Sequence, residues 1–205
     1  MNFLAHTYLS GNSEELLIGN FIGDYIKGKG YVKYPEMIKK GILMHRDIDS
    51  FTDYHAITKR SRMRVIEKYH KYSGIIIDIF YDHFLASMFD KYSLLPLEDF
   101  VNYTYVVLKK HYKILPLAIK YWFPTFLENN WMMTYTSIDG IELVLERMSA
   151  NTSLPDHSAY AVEVLRAEYD DFAKDFEEFF PLIVKFLEDK YEIDIFGQSI
   201  DYAAG

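Results

Sequence analysis

The chain has 205 residues, no cysteine and a formal net charge of −8. The missing thiols exclude disulfides, thiolate metal sites and cysteine nucleophiles, and the acidic balance argues against a general nucleic-acid binder. Half of the residues are hydrophobic and a quarter charged, as in soluble globular proteins, and the length suits a single domain, 1–205, with a core that needs no staples.

The start, MNFLAHTYLS, has neither a basic region nor a long apolar run and does not read as a signal peptide. The most apolar stretch, GIIIDIFYDHFLASMF, is interrupted by acids and falls short of a membrane span. A soluble, cytoplasmic protein is expected, without membrane association. Glycine and proline are scarce, and period-3.6 patterns dominate. Ser13, followed by Glu14 and Glu15, starts a helix that runs through ELLIGNFIGDYIKG to the glycines at 28 and 30. Pro35 suits the first turn of a second helix, from Glu36 to about Asp53. Further helices are predicted over 56–71, 74–91, 97–114, 117–135, 139–150 and 157–190, the last with a break at Pro181. Nothing alternates with period two for long, so the fold class is all-α: a compact array of about seven to nine helices around a buried central one.

Charge is unevenly spread. Lys27 to Lys71 holds 12 Lys/Arg against 5 Asp/Glu, while Asp139 to Gly205 holds 5 against 16. Such blocks can be solvated helix faces of opposite sign, or the basic one can dock an acidic partner.

The polar residues inside the apolar patterns carry the chemistry. On a helical wheel with Met37 at 0°, the apolar arc of the second helix contains His45 at about 80° and Asp49 at about 120°. These two are i, i+4 neighbours and can converge on one point. Arg46 and Asp47 fall on the other face. A structural His–Asp hydrogen bond would explain the pair, because a buried carboxylate costs several kcal/mol unless paired or bound to metal. The central helix tips that balance: Asp78, Asp82 and His83 lie within its most apolar sequence. Asn20 and Asp24 form another i, i+4 pair at the edge of a Leu17/Phe21/Tyr25 face, and His6 sits between Leu4 and Tyr8, as a core histidine or a ligand. Imidazole and carboxylate without sulfur suit Mn²⁺, Fe²⁺, Mg²⁺ or Zn²⁺. Such a site can polarise a phosphoryl oxygen and activate water, which points to phosphate ester hydrolysis. The Glu-x-x-His pairs of a di-iron bundle are absent except for EKYH, in a basic stretch.

At these same residues the sequence resembles the acyl carrier protein phosphodiesterases, a family considered distantly related to the HD-type phosphohydrolases. The resemblance lies in MNFLAH at 1–6, GNFIGDYIKG at 19–28, MHRDIDSFTD at 44–53 and DIFYDHFL at 78–85. It continues more weakly through LEDFVNY, NNWMMTY and IDGIELVLERMS. Tyr25 and Tyr81 stand where Phe and Trp are common, and Asp82-His83 reverses the order of an HD dyad. The resemblance implies hydrolysis of the phosphodiester that joins 4′-phosphopantetheine to a serine of holo-acyl carrier protein, with Mn²⁺ favoured. It implies that His6, Asp24, His45, Asp49, Asp82 and His83 hold the metal, with Asp24, His45, Arg46 and Asp82 catalytic. Lys27, Lys29, Arg60, Arg62 and Arg64 would then dock the acidic carrier protein. Two other readings remain at this point: the same site acting on a small phosphodiester or nucleotide, and a non-catalytic carrier-protein-binding module whose His/Asp cluster is a buried polar network.

Overall fold

A computed structural model describes residues 1–195. Within them the chain forms eleven α-helices joined by short 3-10 turns, with no strand among the described residues. The helices are α1 (Phe3–Tyr8), α2 (Glu14–Phe21), α3 (Glu36–Tyr54), α4 (Ala56–Met63), α5 (Ile66–Tyr69), α6 (Ser73–Ser87), α7 (Leu97–Lys110), α8 (Leu117–Glu128), α9 (Ile138–Asn151), α10 (Ser158–Ala167) and α11 (Tyr169–Tyr191). No described helix is long and apolar enough to cross a membrane.

The extra helices have local causes. The start of α1 is held by Asn2 Oδ1, which accepts from Phe3 N at 2.8 Å, and from a distance by Asp82. No propensity signal marks so short a helix, since its stability comes from tertiary contacts. Ser13 caps α2 as expected, its hydroxyl accepting from Leu16 N. That helix ends at Phe21, well short of Gly28, and a 3-10 turn at Gly23–Tyr25 follows. The predicted 56–71 helix breaks after Met63 and ends at His70, whose φ is +45°. Asn130, in the left-handed region, separates α8 from the 3-10 turn that follows it.

The break expected at Pro181 falls instead at Glu168, between α10 and α11, and Pro181 lies inside α11. An interior proline costs about 3 kcal/mol. The buried face of α11, with Phe172, Phe176, Phe179, Phe180, Ile183, Val184 and Leu187, outweighs it at roughly 1.5–3 kcal/mol per side chain.

Helix α6 lies at the centre, as its sequence implies, and touches α1, α4, α5, α9 and α11. The pairing that positions the site is α2 against α3. Gly19 and Gly41 meet at the crossing, where a Cβ on Gly19 would lie 2.1 Å from Ile38 O and one on Gly41 would lie 2.4 Å from Leu16 O. Both obstacles are backbone, so neither can yield without moving a helix. Gly19→Ala or Gly41→Ala should lower stability by about 1–3 kcal/mol, seen as a clear drop in Tm. An unchanged Tm would show that the helices can separate freely.

Candidate metal centre

Four elements converge beside that crossing. α1 supplies His6, α2 supplies Asn20, the following turn supplies Asp24, and α3 supplies His45 and Asp49. The rings of His6 and His45 stack, with centroids 4.0 Å apart and planes 20° from parallel. Both histidines are buried.

Asn20 sets the state of both rings. Its Nδ2 donates to His6 O at 2.7 Å and Ser10 Oγ at 3.0 Å, which leaves Oδ1 as an acceptor 2.7 Å from His6 Nδ1. Its backbone oxygen accepts from His45 Nδ1 at 2.8 Å. Each Nδ1 therefore carries the proton of a neutral ring, and each Nε2 presents a lone pair. Those lone pairs face carboxylates. His6 Nε2 lies 3.3 Å from Asp49 Oδ1, and His45 Nε2 lies 3.2 Å from both Asp49 Oδ2 and Asp24 Oδ1. His45 Nε2 is buried without a partner in hydrogen-bond geometry.

Acceptors pointed at acceptors need a cation between them. The ligand atoms of His6, His45 and Asp49 lie within 4.8 Å of one another, a spacing that suits a divalent ion bound by two imidazoles and a carboxylate. Asp24 adds an oxygen on the open side, its side chain 73% exposed.

Without a metal, a proton fills the same role. Burial alone would lower His45, but Asp24 and Asp49 override it and hold the imidazole up at about 9. His6 is pushed down to about 4, first by burial and then by the charge on His45. Burial would raise Asp49, yet the two histidines hold it well below the usual carboxylate range. Asp24 is lowered chiefly by its contact with His45.

The centre opens on a cleft of about 420 Å³, lined by Asp24, Asp49, Asp53, Asp78, Arg62 and Lys71 among others. Arg62 is held by Asp53, with Nη1 to Oδ1 at 3.3 Å.

Other expected site residues stand elsewhere. Asp82 accepts backbone N–H groups of Asn2 at 2.9 Å, Leu4 at 2.8 Å and Ala5 at 3.4 Å. It anchors α1, and burial pushes its carboxyl up to about 7 against those donors. His83 has both nitrogens engaged, Nδ1 with Tyr135 O at 2.7 Å and Nε2 with Tyr169 Oη at 3.0 Å. Neither joins the His6, His45 and Asp49 group, because α6 turns these two side chains toward its neighbours. Asp78 does face the cleft, with the Met1 amino group 2.5 Å from its Oδ1.

Arg46 donates to Ile26 O at 2.7 Å and Gly28 O at 2.8 Å and lies over the Tyr31 ring. It fixes the loop after Asp24 and does not line the cleft. Arg60 and Arg64 both bind the buried Asp175 on α11, Arg60 Nε at 2.7 Å and Arg64 Nη1 at 2.5 Å, and reach Glu178 and Glu168 beside it. Their charge is spent within the chain. Lys27 and Lys29 are exposed on the loop after Asp24.

Sequence reading passed over Asn20 as a tuning residue, and Gly23 altogether. A Cβ on Gly23 would lie 2.2 Å from His45 Cγ, so glycine is what lets the turn bring Asp24 to that ring. The motif GNFIGD held both residues as a signal.

The fold and centre define a class: an all-helical protein with a nitrogen–oxygen site suited to a divalent metal beside a charged cleft. Its membership is narrower. The family model for acyl carrier protein phosphodiesterase matches residues 1–183, and the chain belongs to that family. It is 31% identical over 198 residues to an acyl carrier protein phosphodiesterase of Klebsiella pneumoniae (strain 342), covering 93% of this chain and 99% of the relative. A protein of the same name from Photorhabdus laumondii is 28% identical over 193 residues, covering 93% and 96%. No solved structure matches the chain.

Two predictions follow from the protonation pattern. A metal must displace the His45 proton, so affinity should rise about tenfold per pH unit between pH 7 and 9 and level off above. Calorimetry in buffers of different ionisation enthalpy should count about one proton released per ion at pH 7.5, and pH-independent affinity would contradict the assignment. Asn20→Ala should weaken metal affinity by about 10–100-fold, the usual effect of removing a residue that orients a ligand, while His45→Ala should abolish binding. Equilibrium dialysis with Mn²⁺ separates these results from full retention of binding.

Proposed function

We propose that this protein is a divalent-metal-dependent phosphodiesterase that cleaves 4′-phosphopantetheine from the serine of holo-acyl carrier protein. The observation that carries the reading is the pair of stacked imidazoles whose Nε2 atoms are aimed at Asp49 and Asp24 on the wall of the cleft. Membership of a family named for acyl carrier protein phosphodiesterase supports the carrier protein as the substrate. Mn²⁺ is the proposed metal, held by His6, His45 and Asp49 with Asp24 at the open side. When bound, the metal supplies a Lewis acid at the phosphoryl oxygen and an activated water.

The chain's own residues do the rest. Asn20 keeps both rings in the ligating tautomer. Arg62 and Lys71 bring positive charge to a cleft otherwise rich in carboxylates, where a phosphodiester would bring its own negative charge. Arg62, oriented by Asp53, would steady the phosphate, while Arg46, which the family resemblance marks as catalytic, is held by two loop carbonyls. Asp53 and Asp78 discourage anions from the rest of the cleft and leave the phosphate one favourable place.

The direct test is intact mass of holo-acyl carrier protein after incubation with the purified protein and Mn²⁺, beside an EDTA control and Asp49→Ala. Loss of the phosphopantetheine mass only in the complete reaction supports the proposal. Retention of that mass, in protein that holds Mn²⁺, would rule out the substrate. Arg62→Ala should lower kcat/KM by about 10²-fold, the usual cost of one transition-state donor, with metal affinity unchanged. Full activity in that variant would exclude Arg62 from the reaction.

A further inference from the structure

A second depression adjoins the cleft. It measures about 780 Å³ and lies over α4, α5 and the start of α6. Its lining includes Lys59, Arg60, Arg62 and Lys71 and contains no carboxylate. Between the charges sit Met63, 64% exposed, and Ile66, 38% exposed. Arg62 and Lys71 line both the groove and the cleft, so the two share a wall.

Its charges differ in how freely they can act. Arg60 is committed to Asp175 and Glu178, and Arg62 to Asp53. Lys59 and Lys71 are exposed and form no ion pair with any described residue; they lie over the Tyr54 and Tyr72 rings, Lys71 also within reach of the Tyr72 hydroxyl. Unpaired lysines flanking two exposed apolar side chains, in an acidic protein, define a surface for a partner of opposite sign with a small apolar contact of its own. Apolar anchors inside a charged rim are a usual interface design, and complementary charge at the rim speeds encounter. The cleft end supplies direction: a partner seated on the groove would present an attached phosphodiester to Arg62 and Lys71, and through them to the metal.

We propose that this groove, built on Lys59, Met63, Ile66 and Lys71, docks the carrier-protein substrate through an acidic face with a small apolar contact. The inference rests on the function proposed above. It narrows the basic segment to a defined site: Asp175 holds Arg60 and Arg64, and within the groove the unpaired charge lies on Lys59 and Lys71, apart from the exposed Lys27 and Lys29 on the loop after Asp24.

Lys59 and Met63 line the groove but not the cleft, so they separate docking from chemistry. The experiment compares wild type, Lys59→Arg and the double variant Lys59→Glu/Met63→Glu, all loaded with Mn²⁺. It measures turnover of holo-acyl carrier protein, and binding of fluorescently labelled apo-acyl carrier protein by anisotropy. The double variant should raise KM and Kd at least about tenfold with kcat within about twofold, and its KM should depend less steeply on salt. Lys59→Arg should behave as wild type. Active wild type with unchanged KM and Kd in the double variant would overturn the groove and leave the proposed function standing. A loss confined to kcat would also overturn it. Wild type that neither binds nor turns over the carrier would overturn both.

Discussion

Two imidazole lone pairs aimed at two carboxylates form the constraint around which this end of the molecule is arranged. Acceptors 3.2–3.3 Å apart repel unless a proton or a metal lies between them. Asn20 prevents the simplest escape, a change of tautomer, by holding both Nδ1 protons at once. One residue can serve two rings only if α1, α2 and α3 are close together, which the Gly19–Gly41 contact allows. The glycine crossing, the amide lock and the carboxylate ring are therefore a single device in which each part fixes the next.

A proton can satisfy that ring only in part. It resides on His45, leaving His6 neutral and stacked beside a cation. A divalent ion could engage both rings and the carboxylates together, so the folded chain presents a ligand set consistent with a divalent occupant. The inner wall is dry imidazole and the outer wall is exposed carboxylate, which leaves the approach from solvent on the side where the cleft lies.

Much of this was legible in the sequence, for identifiable reasons. His45 faces inward, and Asp49 one turn on lies at the edge of the same face, because their apolar arc does, and helical periodicity reports that directly. His6 and Asp24 were legible as polar residues at apolar faces, though their convergence with α3 depends on packing between helices. Asp82 and His83 looked equally diagnostic, since periodicity detects burial and not purpose. Their burial is satisfied by the N–H groups of α1 and by Tyr135 and Tyr169. A buried polar group at a helix junction can thus resemble a ligand, and only the position of its partners tells the two apart. Arg46 shows the converse: the wheel placed it off the apolar face, correctly, but could not show that two loop carbonyls claim it.

The charge asymmetry between the two halves of the chain has its resolution in the same packing. The acids of α11 and its approach answer the basic α4: Asp175, buried, takes Arg60, Ser61 and Arg64. A buried carboxylate with three such donors is held ionised and loses stability if any is removed, so these contacts fasten α4 to α11. With α4 fixed, Arg62 can be held at the cleft while Lys59 and Met63 remain turned to solvent. Arg60 and Arg64, which look like a docking patch in the sequence, fasten α4 to α11 in the structure. The groove proposed for the partner is smaller than the basic segment and shares Arg62 and Lys71 with the cleft beside the candidate centre.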